Sequence, residues 1–101
     1  MNNNAGKYVA TAEELEQNNI YTDRKTVKRI ENKEGEVYLI DNVNFGIRSQ
    51  DKEAVPLLPC NLPQPLQRAG IKIIFSGLIK ETGLAEFWAA QPFVLTSVRE
   101  K

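Results

Sequence analysis

From Ile71 to Lys80 every second position is apolar or glycine: Ile71, Ile73, Phe75, Gly77 and Ile79 alternate with Lys72, Ile74, Ser76, Leu78 and Lys80. A period of two is the period of a strand, so the run predicts a strand from Ile71 to Glu81 with the first set turned toward a core. Gly77 in its middle permits the bend that a small closed barrel requires of its longer strands. Just upstream, the segment Pro59-Cys60-Asn61-Leu62-Pro63-Gln64-Pro65-Leu66-Gln67-Arg68-Ala69-Gly70 forbids a continuing strand through its prolines. Pro65 suits a first helical turn and Gly70 a C-terminal cap, which predicts a short helix or 3₁₀ turn over 65–69.

The remaining elements follow from the same kind of pattern. Thr11 stands three residues before Glu14 in a capping-box arrangement, and the good helix formers between Ala12 and Gln17 predict a short helix closed by Asn18 and Asn19. Leu15 is its main apolar contact, so the helix reads as a peripheral plug. Thr26–Ile30 forms a weak strand, and the polar Glu31–Gly35 reads as a turn. Glu36–Ser49 alternates again, with Asp41-Asn42 placed to bulge or bend it. A solvated turn over 49–53 leads to a third strand, 54–58, which Pro56 assigns to an edge. A loop over 82–91 with Gly83 and Pro92 precedes the last strand, 93–98.

Strand, strand, strand, short helix, strand, strand is the element order of a five-stranded OB-like Greek-key barrel in an all-β domain. The expected division is an N-terminal arm over 1–25 and the barrel over 26–101, with Ile71, Ile73, Phe75 and Leu95 in the core. A seven-stranded immunoglobulin-like sandwich is the alternative, reached if Glu36–Ser49 breaks in two. At 101 residues, 42% hydrophobic and 26% charged, the chain is the size and composition of one domain that folds without staples.

Absences narrow the chemistry. The chain has no histidine, which removes the usual general base near neutral pH and the commonest metal ligand. Its single cysteine, Cys60, has no partner for a disulfide and no imidazole to activate it; a small, buried, chemically quiet thiol is expected. The carboxylates Glu13, Glu14, Glu16, Glu34, Glu36 and Asp41 read as a solvated face rather than an acid–base pair. Glu31 to Glu36 is rich in oxygen but lacks calcium-loop spacing. No catalytic residues, cofactor or metal are therefore expected, and the chain is not read as an enzyme. Thirteen basic and thirteen acidic side chains give zero net charge, which disfavours nucleic acid as a partner.

Gly35-Glu36-Val37-Tyr38-Leu39-Ile40, Leu58-Pro59-Cys60-Asn61-Leu62-Pro63 and Gly70-Ile71-Lys72-Ile73-Ile74-Phe75-Ser76-Gly77 together resemble small uncharacterised envelope proteins and lipoproteins of Bacteroidetes. The likeness spans about two-thirds of the chain. It implies a secreted or lipid-anchored OB-like domain in the cell envelope, although this chain shows neither a lipobox nor a secretory signal; a cytoplasmic location is the alternative.

The reading that results is a noncatalytic envelope binding or structural module for a protein, peptide or glycan. Two alternatives stand beside it: a single-stranded nucleic-acid module, and a small inhibitor or immunity-type protein presenting the Pro59–Pro65 loop. Candidate binding residues are Trp88, Tyr38, Arg29 and Lys28. Trp88 lies with Phe87 in the connection between the last two strands, bordering the usual ligand face of such barrels. Arg24, Lys25, Lys28 and Arg29 form the basic cluster, and Tyr38 offers an aromatic platform.

Overall fold

The computed structural model describes residues 7–50, 55–82 and 90–101. Five strands, β1 (Thr26–Leu39), β2 (Phe45–Ser49), β3 (Leu57–Pro59), β4 (Lys72–Lys80) and β5 (Gln91–Glu100), close into a barrel in the order β1-β2-β3-β5-β4. Every neighbouring pair is antiparallel except β3 with β5, where Leu57, Leu58 and Pro59 run parallel to Gln91, Pro92 and Phe93. A 3₁₀ turn, Gln64–Leu66, bridges β3 and β4. This is the expected OB-like barrel, and the sandwich alternative is set aside by its closure.

The strand count agrees with the sequence pattern, but several boundaries move: β3 starts at Leu57 and lies between β2 and β5 rather than at an edge, and β5 begins at Gln91, ahead of the expected Phe93. Glu31–Gly35 is not a turn: it continues β1 without a break, against β4 through Lys33↔Phe75, Glu34↔Ile74 and Gly35↔Ile73. Polar side chains are tolerated there because that half of the strand faces solvent, and two register shifts with Asn32 at φ 50° supply the curvature. The turn falls instead inside the predicted Glu36–Ser49 strand. Asp41 accepts hydrogen bonds from the amides of Val43 and Asn44, both at 2.8 Å, and Ile40 N donates to Asn44 O at 2.9 Å, so the chain reverses at Asp41. Similarly, the 3₁₀ turn ends before the expected cap: Gln67 caps it, while the Gly70 amide docks on Val37 O at 2.7 Å and hands the chain to β4.

Inside the barrel lie Val37, Ile47, Leu57, Ile73, Phe75, Ile79, Phe93, Leu95 and Val98, with Phe75 and Phe93 meeting edge to face at 5.7 Å. Of the four core residues expected, Ile73, Phe75 and Leu95 are buried, whereas Ile71 sits at the mouth, half-buried, just ahead of β4. Gly77 has no room for a side chain: a Cβ would stand 2.4 Å from the Phe93 ring and from Val94 O. The glycine lets Phe93 cross the sheet, and the register shift between Ser76 and Gly77 falls beside it.

The helix α1 (Ala12–Glu16) has the full capping box, with Glu14 N donating to Thr11 Oγ1 and Thr11 N to Glu14 Oε1. It is less peripheral than its length suggests, because Leu15 is buried in the main core cluster. Asn61, 4% exposed, holds it there. Its side-chain amide donates to Leu15 O at 2.7 Å and Leu95 O at 2.9 Å, while its oxygen accepts from Leu95 N at 2.9 Å. Replacing Asn61 with alanine strands three backbone groups, each costing about 1–3 kcal/mol if water cannot replace the lost partner. Asn61→Ala is therefore expected to lower unfolding stability by about 3 kcal/mol in a denaturant titration. Asn61→Asp should fare no better, since it turns a carboxylate toward two carbonyls.

Candidate functional site

Tyr38 and its neighbours form a built feature on the outer face of the barrel. Val37 points inward, so Tyr38 points out, and its cross-strand partner on β2 is Gly46. A Cβ at Gly46 would lie 2.7 Å from Ile40 Cδ1 and 2.9 Å from Tyr38 Cε1. The missing side chain is thus what lets Tyr38 and Ile40 lie across the strand backbone. Arg48, two residues along β2, places its guanidinium carbon 4.3 Å from the centre of the Tyr38 ring. Glu36, paired with Arg48 across the strands, is bound from its other side by Lys72 at 2.6 Å. The Lys72 hydrogen bond and then its charge hold the Glu36 carboxyl below its ordinary range, with Arg48 adding to the effect.

The other expected residues do not join this patch. Lys28 and Arg29 are exposed near the opposite end of β1, about ten residues from Tyr38, which is of the order of 30 Å along an extended strand. Arg29 stands 4.0 Å from Glu31. Arg24 packs over the Tyr21 ring at 5.7 Å and donates to Glu81 O. Trp88 and Phe87 lie outside the described residues. The Pro59–Pro65 segment is largely interior: Pro59, Asn61, Leu62 and Pro63 are buried, and only Gln64 and Pro65 are presented to solvent.

Each carboxylate singled out in the sequence that has a described partner has a structural task. Glu14 caps α1, Glu34 is bound by Lys101, Glu36 by Lys72, and Asp41 organises the β1–β2 turn. Hydrogen bonds from the Val43 amide, then from the Asn44 side chain and amide, keep the Asp41 carboxyl below its ordinary value. Among the described residues no group of three histidine, cysteine, aspartate or glutamate side chains is placed to hold a metal ion.

Cys60 is half-buried rather than enclosed, with its sulfur 3.8 Å from Asn19 Oδ1. Burial pushes its thiol up despite opposing hydrogen bonds from neighbouring backbone amides. Lys80 is buried as well, and its ammonium donates to Thr26 Oγ1 at 2.9 Å.

Two concavities border the 3₁₀ turn. One, of about 420 Å³, lies between the end of α1 and residues 61–67, lined by Glu14, Gln17, Asn18, Leu62, Pro63 and Gln64 among others. A smaller one of about 150 Å³ lies between the β1–β2 turn and β3, beside Val43, Phe45, Leu58 and Cys60. Sequence pattern alone did not single out Arg48, Gly46 or this cleft. An arginine two residues after a strand glycine, opposite a tyrosine, was the only available signal, and it required the β1–β2 register to be read.

No protein-family model and no curated protein matches this chain.

Two measurements check the electrostatics. Because Glu36 and Asp41 titrate below their unfolded values, their contribution is complete above about pH 4.5 and is lost as pH falls through the depressed range. Thermal melting should be flat from about pH 6 to 8, where no histidine titrates, and should fall below about pH 4, with a smaller fall in Asp41→Ala. The raised Cys60 thiol should react with a neutral-pH thiol reagent more slowly in the native protein than in urea, since the thiolate is the reactive form and burial disfavours it.

Proposed function

We propose that this domain is a noncatalytic recognition module of the cell envelope whose protein or peptide partner docks on the outer β1–β2 face around Tyr38 and Arg48. The observation that carries the reading is the stack itself: a guanidinium 4.3 Å above a half-exposed tyrosine ring, on a floor that Gly46 keeps clear. Tyrosine and arginine are the side chains that most often dominate binding energy at protein interfaces. Here both are already oriented, so less rotamer freedom is lost on association. Neither contributes to the hydrophobic core, which leaves them available for a partner. The likeness of the turn and strand motifs to Bacteroidetes envelope proteins supports the location.

The test is a capture from envelope extract with the whole chain as bait, run in parallel with Tyr38→Ala, Arg48→Ala and the pair Lys28→Ala/Arg29→Ala. The expected result is a partner retained by wild type and by the lysine–arginine pair but reduced at least about tenfold by either stack variant, the size of a typical hot-spot loss. A partner lost with Lys28 and Arg29 yet indifferent to Tyr38 and Arg48 would move the site to the far end of β1.

A further inference from the structure

We propose that the cleft between the end of α1 and the 3₁₀ turn is a second, independent site that takes a neutral saccharide. Its volume of about 420 Å³ falls within the usual span for small-molecule sites. One wall is the exit of α1, where Gln17 caps the helix and Asn18 is held at φ 58°. The other is the 3₁₀ turn, stiffened by Pro63 and Pro65 and by the bond from Gln67 Nε2 to Leu62 O at 2.8 Å. Asn61 ties the two walls together through Leu15 O, so the gap between them is set before any ligand arrives.

The chemistry of the lining selects the ligand class. Gln17, Asn18 and Gln64 are exposed, and their side-chain amides have no hydrogen-bond partner among the described residues. Each amide both donates and accepts, which matches a hydroxyl group, itself donor and acceptor. The cleft's one charged side chain, Glu14, is already engaged by Thr11 N at 2.9 Å, Thr11 Oγ1 at 3.2 Å and the Tyr8 hydroxyl. A charged ligand therefore finds no free counter-charge. A peptide finds no deep apolar pocket for an anchoring side chain, because Leu62 and Pro63 are themselves buried as the floor. What remains is a cleft ringed by neutral hydrogen-bonding groups, with the exposed Pro65 ring as its apolar surface, suited to a sugar that lays its C–H face on the proline and turns its hydroxyls to the amides.

The test is a ¹H–¹⁵N titration of the whole chain with three neutral trisaccharides (chitotriose, cellotriose and maltotriose) and, in parallel, with trialanine and inorganic phosphate. At least one trisaccharide should shift the side-chain NH₂ signals of Gln17, Asn18 and Gln64 saturably, with a millimolar dissociation constant of about 1–10 mM that is insensitive to salt. Gln17→Ala/Gln64→Ala should weaken that binding about tenfold with unchanged melting, since both side chains are exposed, and Tyr38→Ala should leave it intact. No shift with any of the three sugars, shifts produced by the tripeptide or phosphate instead, or undiminished binding by the double variant would each overturn the assignment. Because the Tyr38 variant is scored in the same experiment, failure here is separate from failure of the protein-docking surface.

Discussion

The barrel depends on how one edge of β5 is satisfied. β3 is only three residues long and covers β5 as far as Phe93, where Cys60 N adds a last backbone bond at 3.1 Å to Phe93 O. Beyond that point the edge would be open. Asn61 then substitutes a side chain for a strand: its amide pairs with both the N–H and the C=O of Leu95, as a neighbouring residue's backbone would. Further along, Ala10 N meets Val98 O at 3.0 Å and Glu100 N meets Tyr8 O at 2.7 Å, so the N-terminal segment finishes the relay. An unpaired buried edge is costly and an unpaired exposed edge invites association; here three different sources of hydrogen-bonding groups close it in turn.

This arrangement explains why the arm and the barrel are mechanically joined. The same Asn61 amide that completes the β5 edge grips the carbonyl of Leu15, and Leu15 fills the end of the core. A five-residue helix has little stability of its own, and it persists because its capping box and its one buried leucine act together with that tertiary bond. The rigid cleft beside the 3₁₀ turn is a by-product of the same contact, since Asn61 determines how closely α1 approaches residues 62–67.

The surface is organised by cross-strand pairs rather than by a field of one sign. Glu36 lies between Arg48 and Lys72 on the neighbouring strands and Glu34 meets Lys101, while Arg29 stands near Glu31 on the same strand, so several of the described basic residues face a carboxylate. Exposed pairs of this kind add little stability each. Their effect is to leave the Tyr38–Arg48 stack as a distinctive aromatic and cationic feature on a face that is otherwise balanced.

Local chemistry was enough to determine several parts of this protein. The alternation from Ile71 to Ile79, the capping box at Thr11 and Glu14, and the proline-rich break before Gly70 each act over a few residues, and each appears in the structure with a small shift of boundary. The order of elements then selected the barrel. What only the tertiary structure decided was where pairing overrides composition. Glu31–Gly35 has the polarity of a turn but is strand because β4 offers it a ladder, and Asp41 reverses the chain within an alternating run because its carboxylate collects the amides of Val43 and Asn44. Asn61 looked like part of a turn, and Arg48 like any surface cation. Their roles depend on groups 34 and 46 residues away for Asn61 and on strand register for Arg48, distances over which a linear pattern carries no signal.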